Sequence, residues 1–119
     1  MLEFEKVLGA FSLLAELNEN EARAASTVVE LAIAELNSLL KPNACNEATH
    51  DRICHAAAAL AYYKYVLLES TRSMGFSVGD VKMSTPTAAT LAMAKAIRDD
   101  ALGAVYDLMD SRTFAFVQV

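Results

Sequence analysis

Residues 49–73 read THDRICHAAAALAYYKYVLLESTRS, and the fold turns on what this stretch becomes. It is the longest uninterrupted apolar run in the chain and contains neither Gly nor Pro. As a helix it is apolar on almost every side over 53–68. A helix that is hydrophobic all round sits at the centre of a bundle or in a membrane. Length argues against the membrane, because the run of about 16 residues falls short of the roughly 20 that span a bilayer. Lys64 and the small alanines dilute it further. A helix over about 47–73 at the centre of a bundle is the expectation.

Composition points the same way. A chain of 119 residues suits one domain (1–119) with a single modest core. Apolar residues make up 55% and charged ones 21%, which excludes a disordered chain. Much of the apolar share is Ala, which favours helix and close helix–helix approach. Trp is absent, and there are only four Gly and two Pro. This is the composition of an all-α protein.

The formal net charge is −5, and Lys and Arg are scattered singly. No basic stripe exists to replace phosphate counterions, so neither generic nor sequence-specific nucleic-acid binding is expected. The opening MLEFEK carries acids where a signal peptide carries bases, which predicts a protein made and kept in the cytoplasm. In that compartment the two cysteines, Cys45 and Cys54, read as free thiols.

Around the central stretch, three further helical patterns appear. Phe4, Val7, Leu8, Phe11, Leu14 and Leu17 form one apolar face over 3–17, weakened at Gly9 by about 1 kcal/mol relative to Ala. Asn18 followed by Glu21 has the spacing of a capping box, and it opens a second pattern over 19–40 through Ala22, Ala25, Val29, Ile33, Leu36 and Leu40. That pattern stops before Pro42, whose ring disfavours helical geometry at Lys41. Asn46 and Thr49 are alternative N-caps for the central helix, and Gly75 is its expected stop. The last helix, over 86–110, begins after Ser84 or Thr85 with Pro86 near its first position, and buries Leu91, Ala94, Ile97, Ala101, Val105 and Leu108. Between the last two helices, 76–83 has the turn signal Gly79-Asp80 and alternating Val81 and Met83, as a short extended arm would. The C-terminal residues TFAFVQV (113–119) are β-prone. The expected fold is an all-α bundle of four main helices with an extended arm and a β-prone tail.

Few residues suggest chemistry. Cys45, His50, Cys54 and His55 include the donor types of a zinc site, and His50 and Cys54 share a helical face. Adjacent Cys54 and His55 point about 100° apart, however, and the paired knuckles of structural zinc sites are missing. The plainer reading is a free cysteine with capping or surface histidines, and no metal or other cofactor is expected. Nucleophilic use of Cys54 with His50 or His55 lacks an oxyanion-hole element beside it. Asp99-Asp100 and the Asp107/Asp110 pair read as surface charges, with Lys95 one turn before Asp99. Gly75–Gly79, GFSVG, follows a helix rather than a strand and is no phosphate loop. Tyr62, Tyr63 and Tyr65 read as core and interface packing residues, with at least one ring reaching another helix or the surface and ligand stacking as the alternative. No enzymatic constellation emerges.

Asp51-Arg52-Ile53, then Ala56-Ala57-Ala58-Ala59-Leu60-Ala61-Tyr62-Tyr63, then Phe76-Ser77-Val78-Gly79-Asp80-Val81 resemble the small head–tail connector (head-completion) proteins of tailed bacteriophages and prophages. In that family an Ala-rich helix with a Tyr pair is followed by a phrase like F-x-x-G-D-V and a last helix. The resemblance covers roughly 47–110; the opening helix 3–17 is an extra or reworked element beside it. It implies a non-enzymatic virion part that assembles as a ring, contacts the portal and tail-completion proteins, and extends the DNA channel. Such a protein resides in the host cytoplasm before it joins the particle. The segments suited to self-association are the arm (Phe76, Val78, Val81, Met83) and the tail (Phe114, Phe116, Val117), because an unpaired strand can add to a neighbour's edge. The rival readings are a small bacterial helical adaptor or regulatory module, and a metal- or thiol-site protein using Cys45, His50, Cys54 and His55.

Overall fold

A computed structural model describes residues 4–75 and 88–109 of the chain, with side chains over 4–70 and 90–109. The expected arm at 76–83 and the tail at 113–119 lie outside the described residues. The described residues form five α-helices: α1 (Phe4–Ala15), α2 (Glu19–Ala24), α3 (Ser26–Leu39), α4 (His50–Gly75) and α5 (Ala88–Gly103), followed by a 3₁₀ turn at Tyr106–Leu108. No strand occurs among the described residues. The protein is an all-α bundle.

The long helix α4 is the axis on which α1, α3 and α5 pack. Ile53 and the alanines 56–59 and 61 have no exposed surface, and Leu60 is nearly as buried. Small side chains let the neighbouring backbones come close, and α4 is therefore enclosed along its first half. Around it sit Val7, Leu8 and Phe11 of α1, Val29, Ala32 and Leu36 of α3, and Ala101 and Val105 from the chain's last part. No helix among the described residues is long and apolar enough to cross a membrane.

The ends of the helices follow from local chemistry. Asn18 caps α2: its Oδ1 accepts the Glu21 N–H at 2.8 Å while the Glu21 carboxylate accepts the Asn18 N–H at 2.9 Å. The expected single helix over 19–40 is divided at Ala25, whose φ of −98° and ψ of 15° separate α2 from α3. Ala25 is itself a good helix former, and the polar pair Ser26-Thr27 follows it. The break lets α2 stay on α1, with Ala22 buried and Arg23 forked onto Glu5, while α3 runs along α4. At the start of α4 both candidate caps act together. Asn46 Oδ1 accepts the N–H groups of Ala48 and Thr49, and Thr49 Oγ1 accepts the Asn46 N–H at 3.0 Å. The last helix ends at Gly103, earlier than the pattern to 110 suggests, because the chain turns there and the Ala104 carbonyl accepts from Arg52 at 2.8 Å.

Candidate functional site

The positions expected to mediate association (Phe76, Val78, Val81, Met83, Phe114, Phe116 and Val117) lie outside the described residues. Their points of attachment are described. Helices α4 and α5 run antiparallel: Arg52 near the start of α4 meets Ala104 and Asp107, and the Arg98 guanidinium lies 4.3 Å from the Tyr63 ring centroid midway along. The chain therefore leaves α4 at Gly75 and re-enters at Ala88 at one end of the bundle. At the other end, Leu40 and Met109 form an isolated antiparallel bridge, with the Lys41 N–H donating to the Leu108 carbonyl at 2.9 Å. Lys41 Nζ also donates to the Asp107 carbonyl at 3.2 Å. The two candidate segments start from opposite ends of a 26-residue helix, about 39 Å apart at 1.5 Å per residue.

The cysteine and histidine candidates are brought together only in part. Cys54 Sγ lies 3.6 Å from His50 Nε2, as their four-residue spacing requires. His50 Nδ1 lies 3.8 Å from Asp51 Oδ1. His55 turns outward to solvent, and Cys45 is half-buried in the loop before α4. Among the described residues, no three His, Cys, Asp or Glu side chains are grouped to hold a metal ion. Neither cysteine is in a disulfide, and Cys54 is 2% exposed, which leaves it little access to anything in solvent. Of the GFSVG segment, only Gly75 is described, as the last residue of α4.

The tyrosines divide between neighbours. Tyr65 packs edge-to-face on Phe11 of α1, Tyr63 carries Arg98 of α5, and Tyr62 packs against the buried cluster. All three reach into the bundle rather than converge on one spot.

Described Lys and Arg side chains are engaged with acids or backbone carbonyls. Lys6 pairs with Asp51, Arg23 with Glu5, Arg52 with Asp107, Lys64 with Glu35, and Lys95 and Arg98 with Asp99, while Lys41 meets the Asp107 carbonyl. The Arg23 fork holds the Glu5 carboxyl below the usual carboxylate range, and Lys6 does the same to Asp51. Arg98, aided by Lys95, lowers Asp99. Glu16, Glu30, Glu47 and Asp100 stand exposed. The surface of the described bundle is acidic, with its cations drawn into side-chain and backbone pairs.

Sequence reasoning passed over one feature. Leu13 of α1 is 82% exposed, the most exposed large apolar side chain described. Periodicity marks the face a helix buries, and Leu13 falls off that face. The signal available was Leu13 standing one turn from Gly9 on the outward side.

The fold and the surface together define a small all-α bundle with helix-borne packing residues, and no metal-holding group of His, Cys, Asp or Glu occurs among the described residues. Comparison with protein-family models, with curated proteins and with solved structures gives no match.

Proposed function

We propose that this chain is a non-enzymatic structural protein of a tailed phage or prophage, a head–tail connector that self-associates into a ring and contacts the portal. What carries the reading, beside the resemblance over 47–110, is the opposed attachment of its two association-prone segments. One lies between Gly75 and Ala88 and the other follows Met109, at opposite ends of α4. A subunit built this way has a segment to offer at each end of a stiff body, as a part joining a head to a tail needs.

The charge pattern supports the same reading. A channel through which DNA slides should repel phosphates rather than hold them, and a surface whose cations are engaged by acids leaves little to bind a polyanion. Portal and tail-completion proteins would be its partners, with assembly in the host cytoplasm.

The test is assembly by the full chain and by Phe76→Ala and Phe114→Ala variants, followed by light scattering with helicity as the control. The variants should keep their helicity and lose assembly and portal binding. Unchanged assembly in both, or no assembly and no portal binding by the wild type, would remove the reading.

A further inference from the structure

The bridge between Leu40 and Met109 sets the direction of the chain that follows it. Both residues are extended, with ψ of 152° and 150°. In an antiparallel pair, the residue after Met109 lies opposite the residue before Leu40. The residues before Leu40 are α3, so the chain beyond Met109 sets out back along that helix. Residues 110–119, DSRTFAFVQV, lie outside the described residues, and the bridge marks where they begin. Their aromatic and β-branched residues favour an extended form. At about 3.3 Å per residue they cover about 33 Å, against about 21 Å for the 14 residues of α3.

Helix α3 has a face to receive them. Leu31 is 58% exposed, although Val29, Ala32 and Leu36 on the other side of the helix are core. Thr27, Ala34 and Ser38 share its outward face at three-and-four spacing and are exposed and uncharged. Glu30 and Glu35 stand exposed on either flank. The register follows from the two rises. Measured from Leu40, Leu31 lies about 14 Å along the helix and half-buried Val28 about 18 Å. Measured from Met109, Phe114 lies about 17 Å along an extended chain, level with these two. Arg112, the only cation in 110–119, falls at about 10 Å, between Glu35 at about 8 Å and Glu30 at about 15 Å. Arg112 and Phe114 are two apart, so they leave an extended chain on the same side.

We propose that the C-terminal tail docks on the outward face of α3 in its own chain, with Phe114 on Leu31 and Arg112 between Glu30 and Glu35. The exposed leucine is then covered and opposite charges meet. The Leu40–Met109 bridge is the first rung of this contact. The docking does not rest on the connector reading; within a connector it holds the tail in the free chain until a partner takes it.

NMR of the full chain, with Leu methyls and Phe rings assigned, tests the docking. Nuclear Overhauser contacts between the Leu31 methyls and the Phe114 ring are expected, and a mixture of labelled and unlabelled chains should place them within one chain. Leu31→Glu, with helicity as the control, should abolish them and move the Phe114 ring shifts to random-coil values. Phe114→Ala should shift the Leu31 methyls and leave those of Leu13 unchanged. Absence of the contacts, or Leu31 methyl shifts indifferent to Phe114→Ala, overturns the proposal. Contacts found only between chains overturn it too and assign the tail to a neighbour. Assembly that is lost in Phe114→Ala without any intrachain contact leaves the connector reading standing and removes this one. Intrachain contact in a chain that never assembles does the reverse.

Discussion

The rings of Phe11 and Tyr65 meet edge to face, with centroids 5.6 Å apart and planes at 81°. Phe11 has no exposed surface. This contact joins α1 to the central helix and makes the opening helix part of the core rather than an appendage. Phe11→Ala should therefore cost about 3–5 kcal/mol, through lost transfer energy and the cavity left behind. Urea denaturation followed by circular dichroism measures it. A loss below about 1 kcal/mol would mean that α1 rests on the bundle without belonging to it.

The alanines of α4 set how closely its neighbours approach, since 56–59 and 61 have no exposed surface. Ala58→Leu should destabilise by about 1–3 kcal/mol, because added volume has nowhere to go in a filled core. Leu67→Ala, at a side chain 39% exposed, should cost clearly less. Thermal melts of the two variants test the ordering. A larger loss in Leu67→Ala would mean that the apolar run is organised around its second half.

Thr49 is the only buried polar residue described, and it is fully engaged. Its Oγ1 donates to the Ala44 carbonyl at 2.6 Å and accepts the Asn46 N–H. Thr49→Val keeps the shape and leaves both backbone groups without that partner, which should cost about 1–3 kcal/mol. Asn46→Ala, which removes the reciprocal cap, should cost about 1 kcal/mol. The double variant should lose less than the sum, because the two side chains close one motif. Strict additivity in a denaturation cycle would contradict the reciprocal cap.

Acid sensitivity has a worked sign. Glu5, Asp51 and Asp99 titrate below the ordinary carboxylate range because Arg23, Lys6 and Arg98, respectively, bond their charged forms. A carboxylate with a depressed folded pKa contributes stability that is present above its unfolded value, near about 4, and is lost as pH falls through the folded value. Tm should thus fall on acidification from about pH 5 downward, and salt should blunt the effect at these exposed pairs. Asp51→Asn should flatten part of that fall by lowering Tm slightly near neutral pH while leaving it unchanged at low pH, where Asp51 is already protonated. An unchanged acid limb in Asp51→Asn, Glu5→Gln and Asp99→Asn together would mean that these pairs do not act in solution.

The parts of the fold written in short-range patterns could be read from sequence. The Asn18–Glu21 box and the apolar faces of α1 and α4 depend on neighbours three or four residues apart, and so does the stop at Gly75. The break at Ala25 could not be read, because Ala25 itself favours helix, Ser26-Thr27 is only a weak local signal, and the cause is the need of α2 to stay on α1 while α3 follows α4. The early end of α5 had a local sign in Gly103, but the apolar spacing through Val105 and Leu108 masked it. Of the candidate association residues, those on the arm and tail lie outside the described residues, so only their points of departure bear on function. Leu13 escaped notice because burial periodicity is silent about the face a helix leaves exposed.

The central claim of the proposed function is assembly on a portal, and the most direct measurement is sedimentation velocity of the full chain mixed with a portal ring encoded beside it. Connector function predicts a stoichiometric complex that carries this chain as a ring and is lost in Phe76→Ala and Phe114→Ala variants of unchanged helicity. Portal and chain sedimenting as separate species, with the chain forming no higher assembly at the highest concentration reached, would contradict it.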